Sequence, residues 1–259
     1  MTHTHSSVNP FYAARLSRVA LVTAPVALEP RHRPVYAKLP LAPVNASPVP
    51  HLTSLYHFSR AGEYGDRSYP GNCGGNLIKD LIRYFQPKSV FDPFSGSGTC
   101  RDVCQELGIL CSHLDIRFGQ DACNPASYPR VQKYDFIWSH PPYWRMKRYT
   151  NDSRDLSQLP TLSAFLDRYR RFIDNCVGVL ATDGKFAILM GDYSDKEAGY
   201  VPLTWWTKKL AFEAGLRQSC TDIVRFSHGA SSSKKSYRSS FIPGLHDLCM
   251  IFEKAQHSA

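Results

Sequence analysis

No Cys-x-x-Cys pair occurs anywhere in the 259 residues, although the chain has eight cysteines. Cys73, Cys100, Cys104, Cys111, Cys123, Cys176, Cys220 and Cys249 are scattered, most of them in apolar runs such as Leu248-Cys249-Met250-Ile251-Phe252. This spacing argues against a zinc cluster and against a disulfide framework, so buried reduced thiols and no metal are expected. Long hydrophobic runs are also missing, which excludes a helical membrane span. The apolar stretch Val19 to Leu28 is short and broken by Pro25. Arg15 and Arg18 ahead of it leave a signal or transit peptide open, against a remainder that reads as a cytoplasmic protein. There is no internal repeat. Acid is scarce at the start, where Glu29 is the only carboxylate before residue 51. Prolines 10, 25, 30, 34, 40, 43, 48 and 50 crowd that same segment. Repeated proline blocks helix and strand ladders, which predicts a flexible arm over residues 1–50 and one folded domain over 51–259. Arg15, Arg18, Arg31, Arg33 and Lys38 suit that arm to tracking phosphates, or it is a dispensable tail.

What is present supports one sizeable core. Hydrophobic residues make up 43% of the chain and aromatics 12%. The formal net charge of +9 favours a polyanionic partner, because each neutralised phosphate releases counterions. From about Leu52 onward the pattern alternates between helix and strand. Leu77, Ile78, Leu81, Ile82 and Phe85 have helical spacing. Ser89-Val90-Phe91 reads as a buried strand, Val103 to Leu107 as a short helix, and Ile109 to Leu114 as a second strand. Tyr134 to Trp138 is a third, bounded by Pro141-Pro142. Leu162 to Leu180 is an amphipathic helix. Asp183-Gly184 is expected to turn the chain into strand Phe186 to Met190. Leu203 to Ala214 reads as helix, and Thr221 to Phe226 with Leu248 to Phe252 as a C-terminal antiparallel hairpin. The alternation predicts an α/β fold with a doubly wound, mostly parallel sheet and helices on both faces.

Two motifs carry chemistry. The run Asp92-Pro93-Phe94-Ser95-Gly96-Ser97-Gly98-Thr99 follows a strand and opens a helix. Glycines there let the backbone turn sharply and approach a ligand. Asp115 closes the next strand about 20 residues on, where a carboxylate accepts hydrogen bonds from ribose hydroxyls. The run is neither a Gly-x-Gly-x-x-Gly fingerprint nor a phosphate loop, so a nucleoside fits better than a pyrophosphate. S-adenosylmethionine has ribose and adenine without phosphate. Asp92 suits its cationic amino-acid portion, and Asp121 can meet the adenine amine. The second motif is Ser139-His140-Pro141-Pro142-Tyr143-Trp144 at the end of a strand. Two prolines withhold N–H donors and leave carbonyls free to accept hydrogen bonds. Acceptors that hold the two protons of an exocyclic amine aim its lone pair at a methyl donor. Tyr143 can stack on a base, and a duplex target must be flipped out to reach it.

Together these motifs resemble those of the amino-group DNA methyltransferases, which make N6-methyladenine or N4-methylcytosine. The resemblance covers roughly residues 66 to 254. Ser68-Tyr69-Pro70-Gly71-Asn72 is similar to the family's first cofactor segment, and His246-Asp247 to its closing His-Glu. The resemblance implies a Rossmann-like, S-adenosyl-L-methionine-dependent enzyme with DNA as its partner, RNA being less favoured, as a monomer or homodimer. It places Asn72, Asp92, Pro93, Phe94, Ser95, Gly96, Gly98, Thr99, Asp115 and Asp121 at the cofactor. It places His140, Pro141, Pro142 and Tyr143 at the amine. His140 departs from the family's usual Asp, Asn or Ser. Only a neutral imidazole accepts an amine proton, so activity is expected to fall as His140 titrates.

No large recognition domain fits between or after the motifs, so a short or relaxed target site is expected. Two loops mix basic and aromatic residues suited to phosphate contacts and stacking. One offers Trp144, Arg145, Lys147 and Arg148, and the other Lys234, Lys235, Tyr237 and Arg238. Two competing readings stand beside this one. The first is an RNA base amino-methyltransferase, for example on guanine N2. The second is a catalytically silent nucleic-acid-binding module that keeps the fold.

Overall fold

The computed structural model describes residues 47–57, 62–226, 242 and 244–255. The expected N-terminal arm falls outside these apart from residues 47–50. The strands are β1 (Leu55–Tyr56), β2 (Ser89–Asp92), β3 (Leu110–His113), β4 (Tyr134–Ser139), β5 (Leu180–Met190), β6 (Tyr193–Asp195), β7 (Gly199–Val201), β8 (Leu216–Gln218), β9 (Ile223–Arg225) and β10 (Asp247–Lys254). The α-helices are α1 (Asn76–Phe85), α2 (Thr99–Leu107), α3 (Leu162–Val179) and α4 (Leu203–Glu213). The main sheet runs β1-β9-β10-β5-β4-β2-β3, with β8 also pairing β10. Strands β3, β2, β4 and β5 are mutually parallel. β10 inserts antiparallel between β5 and β9. The expected open α/β sheet and its terminal antiparallel pair are therefore both present.

Strand alternation divides the core into two layers. Val90, Phe136, Trp138, Ala187 and Leu189 point to one face, where they meet Leu77, Ile78, Leu81 and Ile82 of α1 and Cys100, Val103 and Cys104 of α2. Phe91, Ile137, Phe186 and Ile188 point to the other, against Phe165, Tyr169, Phe172 and Ile173 of α3 and Leu210 of α4. Apolar residues therefore run continuously through the central strands, as burial on both faces requires. α3 starts at Thr161, whose hydroxyl accepts from the Ala164 N–H at 3.2 Å.

Three details differ from expectation. α2 begins at Thr99 rather than Val103, because Gly98 at φ 80° closes the glycine turn directly onto the helix. Asp183-Gly184 does not end an element. It lies inside β5, where the pairing with β4 jumps from Tyr134↔Leu180 to Phe136↔Lys185, an irregularity that absorbs the extra residues. The β6–β7 hairpin has no counterpart in the sequence reading, since each strand has only three residues. The eight cysteines are free. No described helix is long and apolar enough to cross a membrane.

Candidate active site

The cleft opens at the carboxyl ends of β2, β3 and β4, where a doubly wound sheet leaves room for a ligand. Its free space, with the solvent at its open mouth included, is about 820 Å³. β2 delivers Asp92, and the chain then turns through Pro93–Thr99 into α2. The Ser95 N–H donates to Leu114 O at 3.0 Å and the Gly98 N–H to Ser95 O at 2.7 Å, which fixes the turn. Gly96, at φ 45°, lies under the Tyr69 ring, and a Cβ there would sit 3.0 Å from it.

Three buried acids, Asp92, Asp115 and Asp121, line the cleft on the side of β2 and β3, and a fourth, Asp155, comes from the segment before α3. Asp92 accepts one hydrogen bond, from the Phe94 N–H at 3.0 Å. Burial holds its carboxyl well above the usual carboxylate range, and nearby Cys111 adds to this. Asp115 also resists its burial, because Arg117 donates to it from Nε and Nη2 and from its backbone N–H. Those donors hold Asp115 below the usual range. Asp121 accepts from the Cys123 N–H at 2.8 Å and from Arg168 at 2.7 Å. Arg117 was not foreseen. It also donates to Gly96 O, and its guanidinium lies 4.8 Å from the Tyr69 ring centroid.

The opposite wall is the end of β4. His140 and Pro142 line the cleft while Pro141 is buried behind them. His140 Nε2 and the Tyr143 hydroxyl are 3.1 Å apart. Desolvation pulls the imidazole from its ordinary 6.5 down to about 4, helped by the charge of Arg225 and opposed by Asp247. Burial likewise pushes the Tyr143 phenol well up, so it stays protonated. The His140 titration on which activity is expected to depend is thereby moved below the ordinary histidine range. Arg225 on β9 and Asp247 on β10 form a buried ion pair at 2.5 Å beneath this wall, with Arg225 also donating to Cys73 O at 3.3 Å. Asp247 was singled out in the sequence; an inward-facing arginine in a short strand was the overlooked signal.

A roof closes the site. Tyr69, Pro70, Gly71 and Cys73 come from the segment before α1, and Tyr149, Thr150, Arg154, Asp155 and Leu156 from the segment before α3. Tyr69 stacks on Tyr149 with centroids 6.0 Å apart. Gly71 leaves room for this pair, since a Cβ there would lie 2.8 Å from the Tyr149 hydroxyl. The roof segment is pinned by Thr150 Oγ1 donating to Asp155 at 2.8 Å and by the Trp144 indole donating to Leu159 O at 2.8 Å.

Of the predicted cofactor residues, Asp92, Pro93, Phe94, Ser95, Gly96, Thr99, Asp115 and Asp121 are brought to the cleft. Gly98 stands behind it as the helix cap. Asn72 is not brought in: its amide donates to Tyr64 O and Asp66 O and accepts from the Gly74 N–H, so it builds the loop. Two nucleic-acid candidates are corrected. Trp144 is 2% exposed and its N–H is spent, so it packs in the core and cannot stack on a base. Arg145 makes a two-pronged pair with Asp195 at 2.8 and 2.7 Å and also meets Glu197, which ties the roof to the β6–β7 hairpin. Lys147 and Arg148 are exposed. Lys234, Lys235, Tyr237 and Arg238 lie outside the described residues.

No family model and no curated protein matches the chain. Solved structures with a similar fold include a candidate DNA modification methylase from Thermus thermophilus complexed with S-adenosyl-L-methionine. It is 19% identical, with 54% of this chain and 55% of that chain covered and a TM-score of 0.38. The chain thus spans about half the length of that methylase. Another is a 1,6-didemethyltoxoflavin-N1-methyltransferase from Burkholderia thailandensis, bound to its substrate and S-adenosylhomocysteine. It is 15% identical over 70% of this chain and 78% of that chain, with a TM-score of 0.43. TrmN from Thermus thermophilus is 15% identical over 69% and 48%, with a TM-score of 0.35. These are likenesses of fold.

Proposed function

We propose that the chain is an S-adenosyl-L-methionine-dependent methyltransferase that modifies an exocyclic amino group of a DNA base, adenine N6 or cytosine N4, at a short or relaxed site. One observation carries the reading. Asp92, Asp115 and Asp121 line the same cleft as His140 and Pro142 at the end of β4, so a nucleoside-like donor and a planar amine can meet there, with Tyr143 acting through its hydrogen bond to His140.

The residues fit the cofactor. Asp92 has one protein donor and acceptor capacity to spare, as an α-ammonium needs. Arg117 bonds both carboxylate oxygens of Asp115 and Ser95 Oγ donates to Oδ2, so a ribose hydroxyl would take the place of one of these donors, beside Ile116 at that end of the cleft. When bound, the cofactor supplies an electrophilic methyl group on sulfur. The protein's part is to orient the amine. Pro141 and Pro142 leave carbonyl oxygens without competing N–H groups beside them. His140 accepts an amine proton in the tautomer whose Nε2–H donates to Tyr143 Oη, which leaves the Nδ1 lone pair available. Desolvation keeps that imidazole neutral at working pH. The Tyr69–Tyr149 pair excludes water from the reacting side.

Nucleoside mass spectrometry of DNA from cells expressing the chain tests this directly. New N6-methyladenine or N4-methylcytosine is expected, and the signal should vanish with Tyr143→Ala. Transfer of labelled methyl to transfer RNA but to neither duplex nor single-stranded DNA would replace DNA by RNA. Cofactor binding without transfer to any nucleic acid would leave a silent binding module.

A further inference from the structure

The sulfurs of Cys100, Cys104 and Cys111 lie within 4.8 Å of one another. The cluster was invisible in the sequence, because the spacing of four and then seven positions matches no zinc signature. The fold assembles it. Cys100 and Cys104 are one helical turn apart on the sheet-facing side of α2, and both are fully buried. Cys111 is half-buried on β3, opposite Val90 in the ladder with β2.

We propose that these three thiols form a binding site for one thiophilic, closed-shell metal ion of the copper(I), zinc or cadmium type. For three atoms this close, some point lies within about 2.8 Å of all of them, while metal–sulfur bonds are about 2.3 Å. Small side-chain rotations close that gap, and no backbone movement is needed. Three soft donors and no hard oxygen select such an ion over magnesium or calcium. Among the described residues, no histidine belongs to the cluster. His113 lies two residues beyond Cys111 on the same face of β3, and its buried Nδ1 has no partner. Cys111, being half-buried, gives the ion a way in, and its own weak contact to Ser112 O at 3.7 Å is easily given up. No electron changes hands. Each thiol releases its proton to solvent as its sulfur bonds the ion, and the thiolate supplies both electrons of the bond.

The site sits directly behind the glycine turn, because Cys100 follows Thr99 in the cleft wall. Its test needs no methyl transfer. The reduced full chain is titrated anaerobically with cadmium chloride while thiolate-to-metal charge-transfer absorption and proton release are followed. One ion per chain is expected, with more than one proton released; exposed surface carboxylates, already ionised, would release none. Cys104→Ser should abolish the band. Because that position is buried, Cys111→Ser is the second variant, and circular dichroism shows whether each remains folded. Cys220→Ser, at the exposed thiol, should leave the band intact. Absence of the band in the wild type overturns the proposal. So does a band that survives in both folded cluster variants, or one lost with Cys220→Ser.

Discussion

His140 and Asp92 face the same cleft and burial favours the neutral form of each, yet His140 acts in that neutral form whereas Asp92 acts once ionised. His140 titrates near 4 rather than 6.5, so at saturating cofactor the methyl-transfer rate should be flat from about pH 5 to 8 and decline only toward pH 4. Single-turnover rates across that range check this. A drop centred near 6.5 would show that the imidazole is hydrated in the working enzyme. The same depressed value contributes stability that is full above about 6.5 and lost as the pH falls toward 4, because the unfolded chain takes up the proton first. Asp92 is raised well above its usual range, so it keeps its proton to higher pH than an ordinary carboxyl does, and a cationic ammonium favours its release. Cofactor affinity should therefore rise with pH, and binding should release a proton. Calorimetry in two buffers of different ionisation enthalpy reads that proton. Asp92→Asn should remove it and weaken binding about 10- to 100-fold, the loss of a charge-assisted contact.

At the scale of elements, the segment between β4 and α3 carries a clear division of labour. Trp144 and Arg145 fix it, whereas Lys147 and Arg148 remain exposed. Lys147→Ala and Arg148→Ala should each lower the salt dependence of duplex DNA binding by about one unit of slope if each meets a phosphate. Arg145→Ala should instead leave the slope unchanged and lower the melting temperature, because it strands the buried Asp195 carboxylate. Trp144→Ala should cost about 3–5 kcal/mol in denaturant unfolding. This division also shows what a sequence can disclose. The Asp92–Thr99 turn, Asp115 and the Pro-Pro-Tyr strand end were legible because backbone geometry demands those residue types at those places. Trp144 and Arg145 were misassigned because aromatic and basic residues look alike whether they grip a phosphate or a neighbouring loop. The deciding partners, Leu159 O and Asp195, lie 15 and 50 residues away. Arg117 and the Tyr69–Tyr149 stack were hidden for the same reason, since only the fold joins residues from the segments before α1, before α3 and after β3.

Across the whole molecule, the cleft is the place where distant stretches converge. Its walls come from the segment before α1, the β2–α2 turn, the stretch after β3, the end of β4 and the roof before α3. The two core layers lie on the two faces of the sheet, while the cleft sits at the carboxyl ends of its parallel strands. A ligand that touches all five segments therefore ties loops to the sheet, and binding the folded state alone stabilises it by mass action. At one hundred times its dissociation constant, S-adenosylhomocysteine should add about 2.7 kcal/mol, which for a domain of this size raises the melting temperature by about 5–10 °C. Thermal melts against ligand concentration measure the rise. The gain should be spread unevenly. Amide exchange should slow most in residues 64–73 and 147–157, whose hydrogen bonds are largely local turns and side-chain caps, and least in β4, β5 and β10, which are already buried. Slowing confined to the β2–α2 turn would mean that the roof does not close on the cofactor, and that the two tyrosines serve the target base alone.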